Sequence, residues 1–326
     1  MSILITGGAG YIGSHMVLAA LGRGDDVVVL DNLSTGIRAL VPEEAHFHQG
    51  DVGDRAALRR LFERYAIGAV IHFAGSVIVP ESVEKPLAYY ENNTVASRNL
   101  IEACVQAGVK HFIFSSTAAV YGTPKHNPVT EGTGLQPINP YGRSKLMTEW
   151  MLEDTARAHD FHYVALRYFN VAGADPAGRT GQSTPRCTHL IKRACQVALG
   201  RLPTLDIFGT NLPTRDGTGI RDYIHVSDLV AAHALALDYL QHGGRSTVLN
   251  CGYGRGFSVR EVIETVSKVV GRRISTREAP PRPGDPAELV ADSSKLQKEL
   301  GWHPEYDDLE AIVSSAYAWE RRLNAA

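Results

Sequence analysis

Tyr141 and Lys145, four residues apart, are the pair in this sequence best suited to acid–base chemistry. The segment NPYGRSKLMTEW (139–150) predicts a helix with Asn139 as its N-cap and Pro140 at the first helical position. Residues four apart share one helical face. A phenol with an ordinary pKa of about 10 is a poor base at neutral pH, but a nearby ammonium and the positive ring of an oxidised nicotinamide favour the phenolate. Because such a pair is more often a surface contact, it needs support from other motifs.

A hydroxyl group in FSSTAAVYG (114–122) is a third candidate for the same chemistry. Thr117 directly follows a strand-like run, and its hydroxyl could hydrogen-bond both a substrate oxygen and the tyrosine. We therefore predict Thr117, Tyr141 and Lys145 as the catalytic residues.

The glycines of TGGAGYIGSH (6–15) predict a phosphate-binding turn. They follow the strand-like run ILIT and fit two overlapping spacings, Gly8/Gly10/Gly13 and Gly7/Gly10/Gly13. Such a turn brings a pyrophosphate against the backbone N–H groups at a helix N-terminus, where the helix dipole favours negative charge.

Polar residues after the next strands indicate a dinucleotide. Asp31 ends VVVLD, where a carboxylate accepts hydrogen bonds from a ribose 2′-OH and repels a 2′-phosphate, so NAD is favoured over NADP. Asp51 ends the third strand and could meet the adenine. Gly75, in HFAG, lets the chain pass close to the pyrophosphate.

The order of elements predicts an α/β fold, a Rossmann-type doubly wound parallel sheet with a smaller mixed α/β C-terminal substrate domain. Buried strands are expected at 3–6, 26–31, 45–51, 69–75, 111–116 and 163–170, with one helix running through KPLAYYENNTVASRNLIEACVQAG to Gly108. We place the NAD-binding domain at 1–168 and the substrate domain at 169–326, with helices near 186–200, 227–241, 258–270 and 308–323. TVLNCG (247–252) is expected to return to the first sheet.

Composition excludes several classes of partner. The net charge of −2 gives no electrostatic reason to expect nucleic acid or an anionic membrane. Four cysteines without a C-x-x-C pair, and an N-terminus without a signal-like segment, lead us to expect a cytoplasmic protein. No metal site is predicted.

These motifs resemble the extended short-chain dehydrogenase/reductase family and, within it, the UDP-galactose 4-epimerases. The likeness extends over nearly the whole chain, and LRYFNVAGA and DGTGIRDYIHV are its most specific parts. It implies a seven-stranded doubly wound sheet that holds NAD, and a UDP-sugar as the small-molecule substrate.

By this resemblance, the cofactor contacts fall on Gly7, Gly10, Tyr11, Ile12, Gly13, Asp31, Asn32, Asp51, Val52, Phe73, Ala74, Gly75, Asn92, Ser115, Tyr141, Lys145 and Tyr168. The substrate contacts fall on Thr117, Asn170, Leu190, Ile207, Phe208, Arg221, Arg282, Asp285 and Leu289. The two arginines make independent sense, because a guanidinium fork matches a diphosphate.

The implied reaction is UDP-glucose/UDP-galactose 4-epimerisation through a transient 4-keto sugar. Tyr141 takes the proton of the sugar 4-OH, hydride passes to the nicotinamide, the ketone turns over, and both return to the other face. Ala118 and Ala119 stand where sugar-nucleotide dehydratases and decarboxylases of this fold carry acids, which argues against those reactions. A 4-epimerase for UDP-glucuronate or a UDP-pentose and a non-enzymatic NAD sensor remain the alternatives.

Three positions depart from the family pattern. Thr117 keeps the hydroxyl of the more common serine, so activity is expected. Val77 stands where some members have a lysine, and its loss should weaken retention of the cofactor. Leu289 aligns with a residue that gates the sugar, and its intermediate size predicts some turnover of UDP-GlcNAc.

The resemblance also implies a homodimer through helices near 86–107 and 140–158. The apolar residues Leu87, Val95, Leu100 and Ala103 fit such an interface. The same stripe would serve equally well for packing within one chain.

Overall fold

A parallel sheet forms the centre of the molecule. The computed structural model describes residues 1–184, 187–282 and 284–325. The strands of the main sheet are β1 Ser2–Thr6, β2 Val27–Asp31, β3 His46–Gln49, β4 Ile67–His72, β5 His111–Thr117, β6 His162–Tyr168 and β10 Thr247–Cys251. Their spatial order is β10-β6-β5-β4-β1-β2-β3, and each pair is parallel. The predicted fold class and number of strands are therefore confirmed.

Strand order reverses between β1 and β4, because the chain adds β2 and β3 on one side and β4, β5 and β6 on the other. In such sheets, a ligand crevice forms beyond the carboxyl ends of the strands at this point. The glycine turn, Gly75 and Thr117 all follow carboxyl ends of strands in this region.

Helices cover both faces of the sheet. The helices before the last strand of the sheet are α1 Tyr11–Gly22, α2 Arg55–Arg64, α3 Val79–Glu84, α4 Pro86–Tyr89, α5 Ala96–Gln106, α6 Pro140–Ala158, α7 Leu190–Ala198 and α8 Val226–Gln241. One apolar core joins the sheet to α1 and α8, and a second joins it to α2, α5 and α6. Helix α8 packs on the main sheet and β10 pairs with β6. A segment from beyond residue 168 therefore returns to the main sheet, as predicted for 247–252.

The remaining elements follow or flank the main sheet. Their strands are β7 Asn170–Ala172, β8 Leu205–Phe208, β9 Ile220–His225, β11 Gly256–Ser258, β12 Thr276–Ala279 and β13 Glu288–Leu289, and their helices are α9 Val259–Val270, α10 Ser294–Leu300 and α11 Leu309–Ala325. Strand β9 pairs with β7, β11 and β13, and α10 packs against β10 and α8. Four predicted helices correspond to α7, α8, α9 and α11, although the predicted start of the first, Arg186, lies outside the described residues.

The helix predicted to run through residues 85–108 is confirmed, but its middle is not α-helical. It divides into α4, a π-helical turn at Tyr90–Val95, and α5, before ending at Gly108 with φ +71°. The carbonyl oxygen of Asn93 accepts from the hydroxyls of Ser97 (2.6 Å) and Thr148 (3.2 Å). Side-chain donors of this kind compete with the regular backbone pattern of a helix.

The apolar stripe of this segment also divides. Leu100 is fully buried in the core beside the sheet and Ala103 packs against that core, whereas Leu87 is 80% exposed and Val95 is 42% exposed. Leu100 and Ala103 therefore serve packing within the chain. Trp150, on α6, is 54% exposed and was not part of the predicted stripe.

Buried histidines make stability depend on pH. Burial lowers the pKa of His72 to about 3, and that of His15, His225 and His233 to about 4. The unfolded chain, with histidine pKa values near 6.5, therefore binds up to about four more protons than the folded chain as the pH falls from 6.5 to 4. Asp222, whose pKa burial raises to about 6, offsets about one of these. We therefore expect the free energy of unfolding to decrease by about 4 kcal/mol for each unit by which the pH falls near pH 5.

Urea denaturation at a series of pH values between 7 and 5 measures this slope. The variant His233→Gln should reduce it by about 1 kcal/mol per pH unit, because one buried histidine is removed. His159→Gln, at an exposed position, is the control. A free energy of unfolding that stays constant between pH 7 and pH 5 would contradict the prediction.

Candidate active site

The glycine turn between β1 and α1 has two kinds of glycine. A Cβ at Gly13 would lie 2.1 Å from the Gly7 carbonyl oxygen, and one at Gly7, which has φ +70°, would lie 2.7 Å from the backbone nitrogen of Ala74. These two positions need glycine for packing of the protein itself. A Cβ at Gly10 would meet only the Gly7 carbonyl oxygen, at 3.2 Å, so protein packing alone does not explain this residue.

The first turn of α1 is free to bind an anion. Gly10 is its N-cap and supplies no side-chain cap, and no acidic residue lies in the first turn. The first N–H groups of a helix have no intrahelical partner, and together with the helix dipole they form a phosphate site. The donor set and the open space above Gly10 fit the pyrophosphate of a dinucleotide.

Asp31 lies beside this turn, at the end of β2. Its Oδ2 accepts from the N–H of Ala9 (2.9 Å) and its Oδ1 from that of Leu33 (2.8 Å). A carboxylate held in this way keeps lone pairs for the hydroxyls of a ribose. On the neighbouring β3 side, Asn32 donates to Asp51 (2.8 Å). Val52, next to Asp51, is buried.

The segment after β4 passes over the glycine turn. Phe73, Ala74 and Gly75 are half-buried there, and the φ of Gly75 is +157°. Asn92 donates to the Ser76 hydroxyl (2.8 Å), so the π-helical turn touches this segment. Val77 follows it and is about half exposed.

The three predicted catalytic residues come together from two elements. Thr117 ends β5, while Tyr141 and Lys145 lie on the first two turns of α6, which Asn139 caps by accepting from the Gly142 N–H (2.8 Å). The Thr117 hydroxyl lies close enough to the Tyr141 phenol to lower the pKa of that phenol. Lys145 Nζ donates to the Ser115 carbonyl oxygen (3.0 Å) and lies 4.9 Å from the centre of the Phe114 ring.

Burial controls the ionisation of this group. It raises the pKa of Tyr141 above 10, and the hydrogen bond from Thr117 opposes it only in part. Burial also lowers the pKa of Lys145 to about 8. In the protein alone the pKa of Tyr141 is thus raised, whereas the sequence predicted a lowered pKa. The reason is that desolvation disfavours the charged forms of both groups. An added positive charge beside the phenol is needed to reverse it.

Ser115 and Tyr168 border the same place. The Ser115 hydroxyl hydrogen-bonds to His233 Nε2 (2.9 Å). Tyr168 is paired with Thr117 across β5 and β6. Tyr11 differs from the other predicted cofactor residues, since its phenol donates to the Gly173 carbonyl oxygen (2.7 Å) and holds the end of β7. Ile12, beside it on α1, packs against the core.

The predicted substrate residues lie on the smaller elements. Strand register places Leu289 of β13 beside Arg221 of β9, whose Nη2 is 3.8 Å from a carboxylate oxygen of Asp285. The Arg282 guanidinium lies 3.7 Å above the centre of the Phe208 ring on β8. A guanidinium, which can bind a diphosphate, is thus adjacent to an aromatic ring.

The other predicted substrate residues differ in their exposure to solvent. Ile207 is buried, Leu190 is half-buried as the first residue of α7, and Asn170 is exposed at the start of β7. Their roles stay predictions.

Comparison with known proteins agrees with this geometry. The model of the NAD dependent epimerase/dehydratase family matches residues 3–252. The UDP-glucose 4-epimerase of Azospirillum brasilense is 56% identical over 98% of this chain and 92% of its own length. The chain belongs to the NAD dependent epimerase/dehydratase family.

Two solved structures of the family are close in shape. The UDP-glucose 4-epimerase from Brucella ovis, in complex with NAD, is 45% identical with a TM-score of 0.94, covering 98% of each chain. The UDP-Glc/GlcNAc 4-epimerase from Campylobacter jejuni is 49% identical with a TM-score of 0.86, covering 98% of this chain and 99% of that one. The predicted family is therefore confirmed.

Several buried polar residues at this family site were not predicted from the sequence. Asn93 accepts from the Ser76 N–H (2.7 Å) and donates to the Ser144 hydroxyl (3.0 Å), so it joins the segment after β4 to α6. His233 reaches Ser115 from α8. The repeated asparagine in YENNT was a visible signal for Asn93, whereas nothing around His233 distinguishes it in the sequence.

Proposed function

We propose that this chain is an NAD-dependent UDP-glucose 4-epimerase that inverts C4 of the sugar through a transient 4-keto intermediate. The observation that carries the proposal is the closeness of Thr117 and Tyr141, with Lys145 one turn away on the same helix, at the carboxyl edge of a sheet with an open glycine turn. The relatives named UDP-glucose 4-epimerase support the choice of reaction. NAD, when bound, supplies a hydride acceptor that returns the hydride within the same turnover.

The residues of the chain move and hold the proton. Tyr141 removes it from the sugar 4-OH and later returns it to the 4-oxygen from the other face. The Thr117 hydroxyl aligns the phenol and, as a donor to it, favours the phenolate, in keeping with its lowering effect on the pKa of Tyr141. Lys145 holds its ammonium beside the Ser115 carbonyl oxygen, where it can also contact a ribose hydroxyl.

Substrate binding needs the cations of the smaller elements. Arg221 and Arg282 bind the diphosphate, Phe208 offers an aromatic face, and Asp285 accepts from a ribose hydroxyl. Leu289 borders the sugar, since it lies in one apolar cluster with Ala118 and Phe169, the neighbours in sequence of Thr117 and Asn170.

Replacing Tyr141 with Phe separates an enzyme from a protein that only senses NAD. We expect kcat to fall by about 10²–10⁴-fold, because the proton acceptor is lost, while the affinity for UDP-glucose changes by less than about threefold. Product analysis with purified protein and no added NAD measures the first, and titration calorimetry the second. Unchanged turnover in this variant would exclude the proposed base.

We also propose that the enzyme accepts UDP-GlcNAc, as the name of the Campylobacter jejuni relative suggests for that protein. Wild-type protein should invert C4 of both UDP-glucose and UDP-GlcNAc. In Leu289→Tyr the larger ring should remove UDP-GlcNAc turnover and keep that of UDP-glucose, at a cost in stability of about 1–3 kcal/mol from overpacking. A coupled assay that finds no C4 inversion of UDP-GlcNAc by the wild type would refute this.

The exposed apolar side chains support a homodimer. Val83, Leu87, Val95 and Trp150 are each between 42% and 80% exposed, on α3, α4, the π-helical turn and α6, which pack together. Large apolar side chains exposed together on one group of packed elements are typical of interfaces. We propose that two copies associate through this face.

Sedimentation velocity tests the dimer. The variant Leu87→Glu/Trp150→Glu should sediment as a monomer, because two carboxylates would be desolvated in the interface. Leu323→Glu, at a 37% exposed position on α11, is the matched control and should not change the sedimentation coefficient. A wild type that is monomeric at micromolar concentration would contradict the proposal.

We further propose a cytoplasmic location. All four cysteines are buried as free thiols, which is compatible with a reducing compartment. Within the described part of the chain, no helix has the length and apolar character needed to cross a membrane.

A further inference from the structure

A buried ion pair lies behind the candidate catalytic residues. Arg167 Nε is 3.0 Å from Glu149 Oε1, and Arg167 Nη2 is 2.6 Å from Glu149 Oε2, so the guanidinium binds both carboxylate oxygens. The Ser116 hydroxyl donates to the same carboxylate. Both charged side chains are at most 5% exposed. None of the three residues was predicted to have a role.

Two further buried side chains extend this pair toward the substrate elements. Arg167 Nη1 donates to the Tyr121 phenol (3.1 Å), and that phenol donates to Asn250 Oδ1 (2.6 Å). Asn250 Nδ2 in turn donates to the carbonyl oxygens of Val129 (2.9 Å) and Asp292 (3.3 Å). A continuous hydrogen-bonded chain therefore runs from α6 to the segment that follows β13.

Ser116, Arg167 and Glu149 each lie close in sequence to a residue assigned to the site. Ser116 precedes Thr117 on β5, and Arg167 precedes Tyr168 on β6, where strand register pairs it with Ser116. Glu149 lies on α6 one turn beyond Lys145 and two turns beyond Tyr141. The ion pair thus joins the three elements that carry the candidate catalytic and cofactor groups.

The charge of Glu149 also bears on Lys145. Residues four apart on a helix are neighbours, so a carboxylate at 149 without Arg167 would attract the Lys145 ammonium away from the Ser115 carbonyl oxygen. Arg167 occupies both carboxylate oxygens and removes this competition. A buried ion pair contributes little net stability, because desolvation offsets the attraction between its charges, which leaves geometry as its principal contribution.

We propose that Glu149 and Arg167 are positioning residues, which hold Tyr141 and Lys145 in register with Thr117, and that Tyr121 and Asn250 tie this arrangement to the strand bearing Leu289. The inference rests on the proposed function and names residues of that same site which touch neither substrate nor cofactor.

Replacing the pair with apolar residues of similar size tests the proposal. Arg167→Met alone should destabilise the protein, because it leaves a buried charge unpaired, whereas Glu149→Leu/Arg167→Met should regain wild-type stability. We expect the double variant to keep a kcat about 10–100-fold below wild type, since small displacements of reacting groups have effects of this size. Its KM for UDP-glucose should change by less than about threefold.

A spectroscopic signature separates positioning from folding. On mixing with UDP-glucose, the double variant should show slow appearance of the absorbance of reduced nicotinamide under single-turnover conditions, with a wild-type content of bound NAD. Glu149→Gln, which keeps the volume of the side chain, is the second variant and should also lower kcat. A double variant with both wild-type stability and wild-type kcat would overturn the proposal, as would a folded Glu149→Gln with unchanged kcat.

Another buried carboxylate provides the matched control. Glu320 on α11 pairs with Lys192 (2.7 Å) and Arg201 (2.6 Å) and is 3% exposed, but its partners lie on and after α7. Glu320→Gln should lower the melting temperature and change kcat by less than about twofold. Wild-type protein that fails to invert C4 of UDP-glucose would overturn the proposed function and this inference together, whereas active double variants would overturn only the inference.

Discussion

Burial of a phenol and an ammonium in one place is the constraint on which the rest of the structure depends. Burial raises the pKa of Tyr141 and lowers that of Lys145 to about 8, so the surroundings disfavour the charged form of both groups. The protein keeps them close to the hydroxyl of Thr117 and the carbonyl oxygen of Ser115, which compensate only in part. For the phenol, the positive charge of an oxidised nicotinamide would supply the compensation that is missing, so in the proposed reaction binding of the cofactor and readiness for proton transfer are linked.

The parallel sheet supplies the positions that this constraint requires. Carboxyl ends of neighbouring parallel strands meet at one edge, and this edge carries the glycine turn after β1, Asp31 on β2, Gly75 after β4 and Thr117 on β5. Among the smaller elements, β13 pairs with β9 beside Arg221 and brings Leu289 into one apolar cluster with Ala118, which directly follows β5. Polar bridges that are not themselves reactive, such as Asn93 and the Glu149–Arg167 pair, keep α6 aligned with the sheet.

Sequence reasoning succeeded where a local rule operates and was incomplete where a distant contact decides. The strands at 2–6, 27–31, 111–117 and 162–168 follow from runs of β-branched and aromatic residues, and the start of α6 follows from Asn139 and Pro140. The helix before Gly108 was predicted as continuous because its periodicity is helical throughout. The π-helical turn within it depends on hydroxyls of Ser97 and of Thr148, the second of which lies on another helix.

The sequence by itself determined the chemistry and the class of fold. The glycine spacing and the acidic residue after the second strand are short-range patterns, and together they give the Tyr141–Lys145 spacing the support that it lacks alone. Tertiary structure alone decided which apolar residues face solvent, since Leu87 and Leu100 look alike in a helical stripe and only packing against the sheet buries one of them. It also decided the pairing of Glu149 with Arg167, because hydrogen bonds between residues far apart in sequence form only after the chain has brought β5, β6 and α6 together.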